Sequence, residues 1–127
     1  MSRPSAKVLA LLDELRHVGT LESPTCVGET APDSRGPRIT IQLKIEKSIL
    51  QEARFRSFGC GYLIAAGSGL IDLAKGQTVE ECLRITPEQL CIELGGLPEE
   101  KVFCAQLAVQ VLRDGLQRLP RPESPGR

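Results

Sequence analysis

Phe58-Gly59-Cys60-Gly61 sets a cysteine between two glycines, at the end of a strand-like run and just before a helix-like one. Glycine admits backbone angles that a side chain would forbid, so the chain can turn sharply here and expose its amides. The spacing places Cys60 at or near a helix N-terminus, where partial positive charge favours a thiolate over a thiol. A thiolate is the form that binds metal and attacks sulfur. The plainer alternative at this point is a tight strand-to-helix turn holding a small, packed cysteine.

Upstream of the turn the pattern is strict. Ile39, Ile41, Leu43 and Ile45 alternate with Thr40, Gln42, Lys44 and Glu46, which predicts a half-buried strand. A tight turn near Glu46-Lys47-Ser48 returns the chain as a second strand over about 49–57, forming an antiparallel hairpin that delivers it to Cys60. Downstream everything reads as helix. Residues 61–75 form one helix closed at Gly76, and Gly67 and Gly69 inside it point to close packing against another element. Thr78-Val79-Glu80-Glu81 and Thr86-Pro87-Glu88-Gln89 are capping-box patterns that open two short helices. Pro98-Glu99-Glu100 opens a last helix, whose apolar residues cover most of its circumference and predict a central buried position.

Before the hairpin, Val8, Leu11, Leu12 and Leu15 recur at helical spacing within 5–16. Residues 17–37 are rich in Gly and Pro and read as one long loop, which holds Cys26 and Arg35. The tail over 120–127 has no periodicity and is expected to be disordered. The order predicts an α+β domain over 1–119, a small antiparallel β-sheet packed against several α-helices.

Composition narrows the function. The chain has 127 residues, 16 Lys+Arg against 16 Asp+Glu, and 3% aromatics. A balanced charge gives no electrostatic grip on nucleic acid or membrane, and so few rings give no base-stacking platform. No apolar run approaches the ~18 residues of a membrane span, and the opening stretch is amphipathic rather than a signal peptide's core. Five scattered cysteines without disulfide-framework spacing suggest reduced thiols, hence a cytoplasmic protein using cysteine for metal or reaction chemistry. There is no Ser/His/Asp set, phosphate-binding glycine loop or zinc-hydrolase pattern, so an independent enzyme is the least favoured class.

A family resemblance gathers these pieces. Phe58-Gly59-Cys60-Gly61, Lys75-Gly76-Gln77-Thr78-Val79-Glu80-Glu81, Leu94-Gly95-Gly96-Leu97-Pro98-Glu99-Glu100-Lys101 and Cys104, in that order, resemble the NifU/IscU-type scaffolds for iron–sulfur cluster assembly. Val18-Gly19-Thr20-Leu21-Glu22 and Val27-Gly28-Glu29 are similar to bacterial members. The resemblance implies the family's α+β fold and a site of three cysteines, an aspartate and a histidine. It would hold iron and sulfide, or a transient 2Fe-2S cluster, for transfer to recipient apo-proteins, with sulfur supplied by a cysteine desulfurase.

Carried over residue by residue, the resemblance is partial. The second family cysteine matches Cys60 and the third matches Cys104. The histidine before the third is Phe103 here, and the family's Cys-Gly-Asp falls on Arg35-Gly36-Pro37. Two of five ligand-type residues remain. Iron–sulfur clusters and tetrahedral zinc each want about four ligands. Three completions are open: Cys60 and Cys104 from each of two chains in a homodimer, Cys26 swinging in from the loop, or small thiols from solution. Arg35 repels a cation but would stabilise a thiolate or persulfide. That motivates a rival reading, a sulfur carrier or a pseudo-scaffold that occupies a desulfurase without binding any cofactor.

Other candidates carry less. Cys82 and Cys91 fall at apolar positions of short helices, where packing explains them. His17 is expected to make a local loop contact, and Lys101 to be solvated. Leu97-Pro98-Glu99 lacks the second proline of the housekeeping branch's chaperone-recognition stretch, which counts against chaperone binding.

Overall fold

The computed structural model describes residues 4–30 and 36–119; Arg35 and the 120–127 tail lie outside them. Helix α1 (Ala6–Glu14) starts at Ser5, whose hydroxyl accepts from the Val8 N–H at 3.0 Å, and buries Val8 and Leu11. It stops short of the expected residue 16 because Leu15 turns left-handed, at φ 51°. The chain then runs beside the sheet: the Phe55 N–H donates to the His17 carbonyl and the Gly19 N–H to the Phe55 carbonyl, each at 2.9 Å.

The expected structureless loop over 17–37 is corrected by a strand in its middle, β1 (Cys26–Glu29). It pairs antiparallel with β2 (Arg38–Glu46), which pairs in turn with β3 (Ile49–Phe58), giving a three-stranded sheet in the order β1-β2-β3. Four residues interrupted by Gly28 are too short for alternation to show. What seats the strand is distant in sequence: a Cβ on Gly28 would lie 2.1 Å from the Val111 carbonyl and 3.1 Å from Gly115 Cα. Only glycines at both positions let strand and helix approach so closely. The hairpin forms as predicted, turning at Lys47 and Ser48, both with positive φ as a two-residue hairpin turn demands.

Ile39, Ile41, Leu43, Leu50, Ala53 and Phe55 face the helices and are buried. Burying a side chain of this size contributes about 1.5–3 kcal/mol each. Helix α2 (Gly61–Ala74) lies against β3. A Cβ on Gly67 would sit 2.7 Å from the Phe55 ring, and one on Gly69 would sit 2.8 Å from Leu94. The inner glycines therefore mark two close approaches, to the sheet and to α4. Helices α3 (Val79–Leu83) and α4 (Pro87–Glu93) both open with complete capping boxes, on Thr78/Glu81 and Thr86/Gln89. Such caps are worth about 1 kcal/mol each.

Pro98 opens a single 3₁₀ turn (Glu99–Lys101), and α5 (Val102–Gln117) follows it, covering β1 and β2. The expectation that this last helix is the central one is corrected too. Helix α2 has buried residues on every side, at Leu63, Ala65–Leu70 and Ile71, while α5 leaves Phe103 39% exposed. The reason is small side chains: Ala65, Ala66, Gly67, Ser68 and Gly69 let α2 be packed by α1, β3, α4 and α5 at once. Among the described residues no helix is long and apolar enough to cross a membrane.

Candidate functional site

The hairpin and α2 bring Cys60 to its place. Phe58 ends β3, paired with Arg38, and Cys60 becomes the N-cap of α2, its carbonyl accepting from the Leu63 N–H at 3.0 Å. Gly61 lets the turn close over α1, since a Cβ there would meet the Leu12 side chain at 3.2 Å. Cys104 arrives from the first turn of α5. Its Sγ lies 3.9 Å from the Cys60 Sγ, with Cys60 half-buried and Cys104 fully buried behind it.

The two thiols are unequal. Burial alone would raise Cys60, but the amides of Leu63 and Tyr62, the Cys104 thiol and the Lys101 ammonium outweigh it and hold Cys60 below the ordinary thiol range. Burial first, then the charge of Cys60 and the hydrogen bond between the two, push Cys104 up to about 12, with Lys101 pulling weakly the other way. Cys60 is thus the readier of the two to give up its proton, with the buried Cys104 thiol in hydrogen-bond contact behind it.

Lys101 was expected in solvent and instead belongs to the site. Its Nζ stands 5.8 Å from the Tyr62 ring centroid and 6.0 Å from that of Phe103. A cation just ahead of α5 sits at the unfavourable end of that helix's dipole. The two ring faces and the thiolate offset that cost. A lysine three residues before Cys104 and a tyrosine two after Cys60 were the signals available in the sequence, and neither residue type announces such a role alone.

The remaining candidates separate. Pro37 borders the turn: a Cβ on Gly59 would meet its side chain at 3.2 Å. Phe103 flanks the pair on α5, and the exposed Phe58 stacks with Arg38 on its other side at 5.8 Å. Cys26 is not on a flexible loop but buried in β1 opposite Leu43. Five residues separate Leu43 from Arg38 along β2, about 17 Å of strand, so Cys26 lies toward the other end of the sheet from Cys60. Its thiol is raised by burial. His17 makes a long-range contact rather than a local one, its Nε2 meeting Asp72 on α2 at 2.9 Å, where Arg16 also pairs at 2.8 Å. Among the described residues no group of three or more His, Cys, Asp or Glu converges as a metal cage.

The site therefore sits on a small antiparallel sheet backed by helices, with one cysteine at the α2 cap and another on α5. The chain belongs to the NifU-like N-terminal domain family, whose model matches residues 4–124. It is 37% identical over 109 residues to the iron-sulfur cluster assembly scaffold protein IscU 1 of Archaeoglobus fulgidus, covering 86% of this chain and 71% of that one. The corresponding scaffold protein IscU of Aquifex aeolicus is 34% identical over 108 residues, covering 84% and 69%. In fold it is similar to the crystal structure of a putative scaffold protein for the SUF system from Fervidobacterium islandicum. The TM-score is 0.69 at 17% identity, over 88% of this chain and 95% of that one.

Proposed function

We propose that the chain acts in the cytoplasm as a cluster-assembly scaffold, taking iron and sulfide as cargo on Cys60 and Cys104 and passing them to recipient apo-proteins. The observation that carries this is the 3.9 Å sulfur–sulfur spacing. Two thiolates bound tetrahedrally to one metal with bonds of about 2.3 Å stand about 3.8 Å apart. The pair therefore fits one edge of an iron–thiolate tetrahedron. Among the described residues one chain supplies that edge only, and of the open completions we favour two chains, each giving its pair, over small thiols from solution. Phe58, two residues before Cys60, and Phe103, next to Cys104, are exposed and offer apolar surface for that contact. A cysteine desulfurase is the sulfur source this reading requires, and the chain is a holder of cargo rather than an enzyme.

A second reading has its own observation. With a lysine beside the thiols and no third ligand converging among the described residues, the same pair suits a sulfur carrier that never loads iron. Anaerobic incubation with ferrous iron, cysteine and a desulfurase separates the two. The scaffold reading expects sulfur-to-iron charge-transfer bands and bound iron that vanish in Cys60→Ser and Cys104→Ser and survive Cys26→Ser. Sulfur retained on Cys60 without iron would replace it with the carrier.

A further inference from the structure

A half-buried sulfur acceptor with a second, fully buried thiol in contact behind it has a chemistry that iron binding does not use. Of the five cysteines, Cys60 is the one at a helix cap beside a cation, and Cys104 is the one whose sulfur lies in hydrogen-bond contact with it. Cys82 instead donates to the Ala74 carbonyl at 3.4 Å, and Cys26 lies toward the far end of the sheet. A persulfide delivered to Cys60 would carry its outer sulfur toward solvent and leave its inner sulfur facing Cys104.

We infer that Cys104 is a resolving thiol: it attacks the inner sulfur of a Cys60 persulfide, forms a Cys60–Cys104 disulfide and expels the outer sulfur as hydrosulfide. The step balances within the chain. The Cys104 Sγ–Cys60 Sγ bond forms as the Cys60 Sγ–outer sulfur bond breaks, and the electron pair of the broken bond leaves with the outer sulfur. That sulfur is reduced to sulfide while the two cysteines are oxidised together. Starting from the persulfide anion and the Cys104 thiol, the thiol proton departs on the leaving sulfur, so no outside acid or oxidant enters. The Lys101 ammonium stands where it can stabilise the departing anion. A dithiol reductant then restores the pair for another round. Sulfide would thus be freed beside the residues that take iron, with the scaffold's own thiols supplying the two electrons. This rests on the proposed function only in taking Cys60 as the sulfur acceptor.

The test uses the reduced full chain and inorganic polysulfide, without donor protein or iron, under anaerobic conditions. Released sulfide is assayed and the intact and digested chain is weighed. The wild type is expected to release one sulfide for each Cys60–Cys104 disulfide formed, the linked peptides lighter by two hydrogens. Cys104→Ser and Cys104→Ala, checked for fold by circular dichroism, are expected to hold the extra sulfur on Cys60 and release at least about tenfold less sulfide. Lys101→Met is expected to keep the disulfide product but form it several-fold more slowly. A wild-type persulfide on Cys60 as long-lived as that of the Cys104 variants would overturn the inference. So would a chain in which Cys60 takes no sulfur, or a disulfide joining other cysteines. Failure to load iron, or to accept sulfur from a desulfurase, bears on the scaffold reading alone and leaves this outcome legible.

Discussion

The two ends of α2 each meet a cysteine, and they treat it oppositely. At the N-terminal end Cys60 caps the helix, where free amides and Lys101 hold its thiol below the ordinary range. At the C-terminal end Cys82 is fully buried, donates to the Ala74 carbonyl, and is pushed up to about 11 by burial and by Glu81. The same side chain is held toward its thiolate at one end of a helix and is a protonated packing group at the other. Cysteine chemistry in this fold is decided by how deeply the sulfur is buried and by which amides and charges face it.

The sharpest way to break that contrast is thiol labelling. At neutral pH iodoacetamide should alkylate Cys60 about 100-fold faster than Cys82, because burial and Glu81 push Cys82 up to about 11 while Cys60 is held below the ordinary thiol range. Mass-resolved labelling rates of the same order at the two residues would remove the polarity. Next in size is the seat that holds both ends in place. Gly67→Ala puts a methyl 2.7 Å from the Phe55 ring and should cost about 1–3 kcal/mol, read as a lowered denaturant midpoint. An unchanged midpoint would mean that α2 does not depend on this close approach.

A smaller effect follows from linkage. Cys82 and Cys104 have folded values of about 11 and about 12, above those of an unfolded thiol. Their protonated forms therefore favour the folded state, fully below the unfolded value, and that share is lost as pH rises through the folded values. Stability should fall between the ordinary thiol range and pH 11–12, by up to about 1.4 kcal/mol per pH unit for each thiol. Denaturation of Cys82→Ser across that range should show a shallower slope, and an identical slope would contradict the assignment. Smallest is Lys101→Met, which should slow Cys60 labelling at neutral pH by about two- to fivefold and leave Cys82 untouched.

The N-terminal pole of α2 was legible from residues close in sequence. Alternation over 39–46, the Gly-flanked Cys60 and both capping boxes are local signals, and each appears in the structure where the pattern put it. Cys104 was singled out only by family resemblance, and the structure sets it against Cys60. What escaped depends on long-range packing. β1 owes its existence to Gly28 meeting Gly115 across the chain, and a four-residue strand carries no period of its own. The buried middle of α2 comes from its small residues accepting four neighbouring elements, while the longer apolar coverage of α5 suggested the reverse. Lys101 escaped because a lysine's charge is ordinarily solvated, and only the folded approach of Tyr62 and Phe103 shows where it stands.

The proposed cargo site joins Cys60 and Cys104 of one chain to the same pair of a second chain. Native mass spectrometry of the reduced chain, loaded anaerobically with ferrous iron and sulfide, reads ligand number and assembly at once. The expected species is a dimer carrying two irons and two sulfides, present in the wild type and Cys26→Ser and absent from Cys60→Ser and Cys104→Ser. Iron held on a single chain, or held equally well by the Cys60 and Cys104 variants, would contradict it.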